Sequence, residues 1–172
     1  MKKIIGIVVA VVLILGVVAF VNLQNSDDYR LDYEKKIVKY SKEYGVDPFL
    51  VATIIRQESG FHNFISWFSD KEDKIGLMQI KGELGEKWAK EMGIENFSWK
   101  DLKDADTNIK MGVWYLGELQ KDNSDEEAVI KGWRYRGALK EEIPEGKPGY
   151  VDAIEFMKKI YEEKYQEELK ID

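Results

Sequence analysis

Glu58 is the residue of this chain whose surroundings best suit acid–base chemistry. It ends a largely apolar run, residues 48–58, that has the pattern of a buried helix, and an apolar segment, residues 76–80, follows further along. Burial of a carboxyl group disfavours its charged form, and the negative end of a helix dipole acts in the same direction. Both effects raise a carboxyl pKa, so the sequence predicts a proton donor at Glu58. The plainer alternative is a surface carboxylate near a helix end.

Helices must position this group, since the apolar periodicity is helical and no convincing period-two strand pattern occurs. The first helix carries apolar residues from Tyr33 to Tyr44 and ends at Gly45. Asp47 and Pro48 then predict an N-cap and a first helical position. Further helices are predicted over 84–92, after a cap at Asp106 or Thr107, after a capping box at 124–127, and from Tyr150 to Tyr165. The predicted fold class is therefore all-α.

Charge and composition exclude several classes of function. The chain has 172 residues and a net charge of −6, and its only histidine is His62. Nucleic-acid binding needs a basic face, so no nucleic-acid partner is expected. The chain has no cysteine, which excludes a disulfide or a thiolate nucleophile. Neither a catalytic metal nor another cofactor is expected, and His62 is interpreted as a loop residue without a catalytic role.

The N-terminal segment differs from the rest of the chain. Residues 4–21 form an uncharged apolar stretch of 18 residues, close to the roughly 20 that span a bilayer. We therefore expect residues 1–26 to be an uncleaved signal anchor with a short tether, and residues 27–172 to be one folded domain. A cleaved signal peptide is the alternative, although the stretch ends without a clear small-x-small site. Lys2 and Lys3 favour a cytoplasmic N-terminus, which places the domain outside the cell.

Several motifs follow one another after this segment. They are Y-G-V-D-P at 44–48, I-I-R-Q-E-S-G-F at 54–61, G-L-M-Q-I at 76–80 and N-I-x-x-G-x-x-Y-L from Asn108. Over about residues 30–165 this order resembles the soluble lytic transglycosylase and goose-type lysozyme family. The resemblance implies a lysozyme-like α fold that cleaves the β-1,4 bond between N-acetylmuramic acid and N-acetylglucosamine in peptidoglycan.

By this resemblance Glu58 is the catalytic acid. It would protonate the glycosidic oxygen and then act as base on the muramic acid 6-hydroxyl, which closes a 1,6-anhydro ring. One carboxyl group suffices for this reaction, because a hydroxyl of the sugar is the internal nucleophile. Hydrolysis normally needs a second carboxyl group. Asp70, Glu72 and Asp73 are candidates for it, so a muramidase is the alternative; a solvated charged loop is their plainer interpretation.

The resemblance also implies a set of substrate-binding residues between positions 59 and 79. They are Ser59, one of Ser66 and Ser69, Gly76, Met78 and Gln79. Gly76 would let the sugar or the acid approach closely. Met78 would line the sugar cleft together with Gln79, or else belong to the core. Ser59 would bind the substrate or only its local backbone.

The far side of the cleft departs from the family pattern. Where relatives have A-Y-N-x-G, this chain has G-W-R-Y-R-G at 132–137. Trp133 aligns with the family tyrosine, or Tyr135 supplies the phenol after a small shift, and either ring would stack on a sugar. The arginines beside them would reach muramic or stem-peptide carboxylates, or form an exposed cationic turn. Near the last helix Tyr150, a further substrate-binding candidate, keeps the family pattern, whereas the family glutamate is absent.

Together these features predict a membrane-tethered, single-pass, monomeric enzyme that cleaves peptidoglycan outside the cell. An anchor without a lipoprotein cysteine favours a Gram-positive-type envelope, and a cleaved secreted form is the alternative. Two other classes of function compete with the enzyme. One is a non-catalytic cell-wall-binding module. The altered residues 133–134 are compatible with it, whereas the intact Glu58 argues against it. The other is an assembly factor that interacts through its transmembrane helix.

Overall fold

The described part of the chain is mainly helical, as its apolar periodicity predicts. The computed structural model describes residues 29–63, 70–123, 125–138 and 142–171. Within them the elements are α1 Glu34–Tyr44, α2 Pro48–Ser59, β1 Lys74–Ile75, β2 Ile80–Lys81, α3 Gly82–Glu91, a 3-10 helix Trp99–Lys103, α4 Ala105–Asp122, α5 Glu126–Arg134 and α6 Gly149–Lys164. The all-α prediction is confirmed as a mainly helical fold, to which the structure adds one short ribbon.

The predicted membrane anchor, residues 1–26, lies outside the described residues. Among the helices that are described, none is long and apolar enough to cross a membrane. Residues 31–172 group into one compact unit. The predicted start of the domain at residue 27 stays a prediction.

Local signals build the junction between α1 and α2. Gly45 adopts a left-handed conformation with φ 69° and ends α1, as suits a residue without a Cβ. Asp47 then caps α2, because its carboxylate accepts a hydrogen bond from the Phe49 N–H at 2.9 Å, and Pro48 occupies the first turn. Both predicted caps are confirmed. The junction orients α2, which carries Glu58 at its far end.

Two helix starts differ from the predicted ones. The residue that caps α4 is Asp104, whose carboxylate accepts from the Thr107 N–H at 2.9 Å. Asp106 lies inside the helix and binds side chains of α1 instead. The prediction that Asp106 or Thr107 is the cap is therefore wrong, because α4 already begins at Ala105 and a cap must precede the first helical residue. Asp125 caps α5, and Ser124 of the predicted capping box lies outside the described residues.

A two-stranded antiparallel ribbon lies between α2 and α3. Lys74 of β1 lies opposite Lys81 of β2, and Ile75 lies opposite Ile80. The two isoleucines are buried and the two lysines are exposed. Strands of two residues are too short to show an alternating pattern, so the sequence does not predict them.

The central helix of the core is α2. It packs against α6, and α1 packs against both α2 and α4. Residues 50–55 of α2 are wholly buried. Burial of one large aliphatic side chain contributes about 1.5–3 kcal/mol, so this face holds the helix firmly in the core. The carboxyl-terminal end of α2, with Glu58, is thereby fixed in position.

A buried asparagine ties the turn of the ribbon to α4. The Asn108 side chain accepts a hydrogen bond from the Met78 N–H at 2.8 Å. It donates to the carbonyl oxygens of Ile75 at 2.9 Å and Leu102 at 3.0 Å. Asn108 is wholly buried, so water cannot replace these bonds. One side chain therefore satisfies three backbone groups and holds residues 76–79 in place.

Replacement of Asn108 by alanine is expected to destabilise the fold by about 3 kcal/mol, because it leaves buried backbone groups without partners. Urea unfolding followed by circular dichroism measures the loss. The matched control is Asn123→Ala, whose side chain donates to the Leu119 carbonyl at the end of α4 and is only partly buried. That control is expected to lose about 1 kcal/mol or less. Equal losses in the two variants would contradict the role assigned to Asn108.

Candidate active site

The Glu58 carboxylate lies among hydrogen-bond donors from the second half of the chain. Glu58 is the next-to-last residue of α2, and its side chain is only 5% exposed. Its Oε1 accepts from the Tyr150 hydroxyl at 2.8 Å and from the Trp133 Nε1–H at 3.2 Å. Its Oε2 accepts from Arg136 Nη2 at 3.1 Å. The donors come from α5, the turn after it and the start of α6, so tertiary packing builds this cluster.

Arg136 is held in place independently of Glu58. Its guanidinium donates to the carbonyl oxygens of Trp133 at 2.8 Å, Gln79 at 2.9 Å and Met78 at 3.3 Å. It also lies over the Trp133 ring, 4.2 Å from the centroid, in a cation–π contact. The Arg136 side chain is as little exposed as that of Glu58. Arg136 is therefore a fixed, buried positive charge beside the carboxylate.

Opposing effects set the pKa of Glu58. Burial is the largest effect and raises the pKa. The charge of Arg136, hydrogen bonds from Arg136 and Tyr150, and the charge of Lys74 all lower it. The lowering effects prevail together, and the pKa of Glu58 lies below its ordinary value of 4.5. The predicted raised pKa is wrong for the free protein, because an arginine 78 residues further along reverses the effect of burial.

Tyr150 connects the carboxylate to α6. Burial raises the pKa of its hydroxyl well above the ordinary value, and the charge of Glu58 adds to this effect. The hydroxyl therefore stays protonated and donates to Glu58. The Arg134 guanidinium lies 5.3 Å from the centroid of the Tyr150 ring. The substrate contact expected of Tyr150 stays a prediction, and its observed contact is with the carboxylate itself.

Trp133 cannot stack on a sugar, which corrects the prediction. Its side chain is wholly buried, with its ring 6.2 Å from that of Tyr115 and 6.5 Å from that of Trp88. A buried indole N–H needs an acceptor, and Trp133 finds it in Glu58. Trp133 therefore orients the acid rather than a sugar. Tyr135, the other aromatic candidate, is partly exposed and lines a cavity beside this cluster, and its contact with substrate stays a prediction.

The G-L-M-Q motif builds the turn of the ribbon. Gly76 has φ 73°, and a Cβ there would overlap the Asn108 side chain and the Leu102 carbonyl. The close approach that the structure shows is to Asn108, and the predicted approach of a sugar or the acid to Gly76 stays a prediction. Met78 is wholly buried and packs against Gly112, where no Cβ would fit beside its sulfur. Its interpretation as a core residue is the one that the structure favours.

Gln79 and Ser59 turn their side chains to nearby backbone. Gln79 has φ 50°, which is uncommon for a residue other than glycine, and its Nε2 donates to the Gly76 carbonyl at 2.8 Å. The Ser59 hydroxyl donates to the Ile55 carbonyl, one turn back in α2, at 3.1 Å. This contact agrees with the alternative in which Ser59 binds only its local backbone. Substrate binding by Gln79 and Ser59 stays a prediction. Ser66 and Ser69 lie outside the described residues.

The loop carboxylates considered as a second catalytic group bind their own loop. Asp70 accepts from the N–H groups of Glu72 at 2.8 Å and Asp73 at 3.2 Å, and Asp73 accepts from the Asp70 N–H at 3.0 Å. All three residues are exposed, and within the described ranges none of them shares a hydrogen bond with Glu58. His62 is exposed as well, and its Nδ1 lies 3.2 Å from the Ser59 carbonyl oxygen at the end of α2. No group of three acidic or histidine side chains in the described part could hold a metal ion.

Two cations of the site are not assigned correctly from the sequence. Arg136 is expected to reach substrate carboxylates, and the structure places it on Glu58. Lys74 belongs to none of the sequence motifs, yet its charge lowers the pKa of Glu58. The available signal is a pair of arginines beside Tyr135 in an acidic chain. Such a pair indicates a nearby anion without showing which one.

This fold and site define a class: helical domains that present one buried carboxyl group at the end of a central helix, among donors from the last helices. Residues 35–135 match the family described as the transglycosylase SLT domain. The chain belongs to this family, which confirms the resemblance seen in its motifs.

Curated relatives match a part of their own length. An endo-type membrane-bound lytic murein transglycosylase A from Enterobacter sp. (strain 638) is 35% identical over 96 residues, which cover 55% of this chain and 43% of that protein. The protein of the same name from Salmonella paratyphi B is 38% identical over 85 residues, or 48% of this chain and 40% of that protein. The match thus spans about two fifths of these relatives. They lend no support to a Gram-positive-type envelope.

A solved structure has the same fold. It is the lytic transglycosylase Slt from Pseudomonas aeruginosa, in an inactive variant with glutamine in place of a glutamate. The TM-score is 0.64, and the match covers 80% of this chain and 25% of that one. The sequences are 18% identical, so the likeness concerns the fold alone. The lysozyme-like fold prediction is confirmed to this extent.

Arg136→Gln is expected to destabilise the protein by about 3–5 kcal/mol at neutral pH, because it leaves a buried carboxylate without its counter-charge. The depressed pKa of Glu58 contributes stability that is present above pH 4.5 and is lost as the pH falls through the folded-state pKa. Without Arg136, burial dominates and raises that pKa, so the deficit of the variant shrinks in acid. Urea unfolding at neutral and at acidic pH measures the deficit.

The control for this experiment is the double variant Glu58→Gln with Arg136→Gln, which has no carboxyl group at position 58. Its deficit relative to Glu58→Gln alone is expected to change little with pH. A deficit of Arg136→Gln that is equal at neutral and acidic pH would contradict the ion pair as the source of the lowered pKa.

Proposed function

We propose that this chain is a lytic transglycosylase that cleaves the β-1,4 bond between N-acetylmuramic acid and N-acetylglucosamine in peptidoglycan. The observation that carries the proposal is the setting of Glu58, a carboxyl group 5% exposed and held by three donors from different elements. Family membership supports it, since the curated relatives are named lytic murein transglycosylases. The inactive Slt variant, which lacks one glutamate, is in line with a catalytic glutamate.

In the first step Glu58 acts as an acid. Its protonated form donates the proton to the glycosidic oxygen while the bond between that oxygen and C1 of muramic acid breaks. The departing N-acetylglucosamine gains a hydroxyl group, and C1 takes on oxocarbenium character. Glu58 becomes a carboxylate at this point. Arg136, Trp133 and Tyr150 already point their donors at that charge, so its formation needs no reorganisation of the site.

In the second step the same group acts as a base. The Glu58 carboxylate accepts the proton of the muramic acid 6-hydroxyl while O6 bonds to C1. The 1,6-anhydro ring closes, and Glu58 returns to its protonated form without consuming water. Because the hydroxyl belongs to the reacting sugar, its effective concentration at C1 is high. A second carboxyl group, which hydrolysis would need to activate water, is not required.

Arg136 imposes a compromise on this cycle. A lowered pKa makes Glu58 a stronger acid, but it leaves a smaller fraction protonated at neutral pH. Arg136 keeps its backbone acceptors when Glu58 takes up a proton, so protonation does not require the arginine to leave. The proposed enzyme therefore works best on the acidic side of neutrality.

The proposed place of action is the outer side of the cell membrane. Residues 4–21 are apolar and follow Lys2 and Lys3, which favours an anchor with the domain exported. The curated relatives are named membrane-bound, which is in line with an anchor here. An anchored domain would reach only the peptidoglycan near the membrane surface.

Digestion of purified peptidoglycan by the full chain tests the proposal. The wild-type protein is expected to release muropeptides that end in 1,6-anhydro-N-acetylmuramic acid, identified by mass spectrometry. Glu58→Gln can neither donate nor accept the proton and is expected to lower the rate at least about 100-fold.

The matched control for this digestion is Glu72→Gln, which removes an exposed loop carboxylate and is expected to keep the wild-type rate and products. Reducing ends that disappear in Glu72→Gln would show a hydrolytic muramidase instead. Equal release by the wild type and Glu58→Gln would overturn the assignment of Glu58.

The pH dependence of kcat/KM tests the role of Arg136. The wild-type value is expected to fall as the pH rises, because the protonated fraction of Glu58 declines above its depressed pKa. Arg136→Lys keeps the charge and is expected to keep a similar profile. Arg136→Gln is expected to move the falling limb to higher pH, because burial then dominates. Initial rates of muropeptide release measure the profiles, and circular dichroism confirms that each variant is folded. Coincident profiles for the two variants would contradict the claim that the charge of Arg136 sets the pH dependence through the pKa of Glu58.

A further inference from the structure

Positive charges gather beside Glu58 in a chain that is acidic overall. Lys74 and Lys81 lie directly opposite each other in the β ribbon, and both are exposed. Like charges directly opposite each other in a ribbon are destabilising. The net charge of the chain is −6, so acidic residues outnumber basic ones and an unpaired cluster of cations is unusual in it. The ribbon thus carries a charge arrangement that does not stabilise it.

Arg134 belongs to the same group of cations. Its side chain is exposed and lies against the ring of Tyr150, whose hydroxyl binds Glu58. The pKa of Lys74 is lowered first by partial burial; Glu58 opposes the shift, and the charges of Arg136, Arg134 and Lys81 add to it. These cations therefore act on one another through space. We call Lys74, Lys81 and Arg134 the cationic rim.

In the described part of the chain, no carboxylate forms a salt bridge with the cationic rim. Glu58, whose charge acts on Lys74, is already paired with Arg136. Within the described residues no salt bridge is formed by Lys74, Lys81 or Arg134, whereas Lys147, another exposed lysine, forms several. Three positive charges are thus available to a ligand at the edge of the site.

A cavity continues from the rim. It has a volume of about 530 Å³, and its lining includes Lys81, Lys87, Arg134 and Arg136 against Glu83 and Glu142. The lining is therefore net positive. Complementary charge at a binding site raises the rate of encounter and selects among ligands. The size of the cavity suits a group larger than a single ion, such as a segment attached to a sugar.

We propose that the cationic rim binds free carboxylates that the glycan substrate carries next to the cleaved bond. This inference rests on the proposed function, in which the glycan lies across Glu58. The sugar rings of peptidoglycan are uncharged, so anionic groups can come from two sources. Stem peptides carry carboxylates, and peptide-free strands expose the lactyl carboxylate of muramic acid. Either group would supply the negative charge that the rim lacks, and the enzyme would select strands that keep it.

Three substrates separate these sources. They are peptidoglycan strands with free peptide carboxylates, the same strands with their carboxylates converted to amides, and strands freed of peptide by an amidase. Amidation is expected to raise the wild-type KM about tenfold with little change in kcat, as exposed charge pairs contribute modestly each. A low KM on peptide-free strands identifies the lactyl carboxylate as sufficient, and a high KM identifies the peptide carboxylates.

The triple variant Lys74→Gln, Lys81→Gln, Arg134→Gln removes the rim without touching Glu58 or Arg136. It is expected to raise KM on the carboxylated strands about tenfold and to lose the difference between carboxylated and amidated strands. The matched control is Lys35→Gln, Lys90→Gln, Lys159→Gln, which removes the same charge from exposed positions elsewhere. Its KM is expected to equal that of the wild type.

Binding of fluorescent strands to Glu58→Gln, with and without the rim substitutions, separates this inference from the proposed function. Binding that weakens when the carboxylates are amidated or the rim is removed supports the rim even if no strand is cleaved. Equal affinity of Glu58→Gln with an intact rim for carboxylated and amidated strands would overturn the inference. An equal loss in the charge-matched control would also overturn it, since net charge would then explain the effect.

Discussion

The buried ion pair between Arg136 and Glu58 is the constraint on which the rest of the site depends. Two opposite charges that are each 5% exposed lose their hydration, and only further hydrogen bonds offset that loss. Arg136 obtains them from three backbone carbonyls, and Glu58 obtains them from Tyr150 and Trp133. Each partner must lie within hydrogen-bond distance, so the pair requires that several elements meet in one arrangement.

That requirement connects features which are far apart in the chain. The carbonyls of Met78 and Gln79 reach Arg136 because the ribbon turn is held by Asn108, and the turn passes close to Asn108 only because residue 76 is glycine. The ribbon buries Ile75 and Ile80 in the core. Its turn also directs carbonyl groups to Arg136, and its register brings two lysines together.

Sequence patterns predict the helices of this protein better than the partners of its side chains. Gly45 and Asp47 act within one turn of the chain, and the helix boundaries that they predict are observed. Asp106 has the residue type of a cap, but Asp104 is the residue directly before the helix and caps it. Asp106 instead binds side chains of α1. Trp133 has the residue type of a sugar platform, yet the packing of α3, α4 and α5 buries it. Burial of this kind depends on elements that local spacing does not describe.

The sequence by itself determined that the chain is mainly helical, that α2 ends near a glutamate, and that its motifs belong to the SLT family. These properties depend on residue types and periodicity within short stretches. Only the tertiary structure decided the ionisation of Glu58, because its donors lie 75, 78 and 92 residues further along. Electrostatic interaction depends on distance in space and on the surrounding medium. Burial alone would favour the neutral acid, and the folded position of Arg136 makes the carboxylate the favoured form instead.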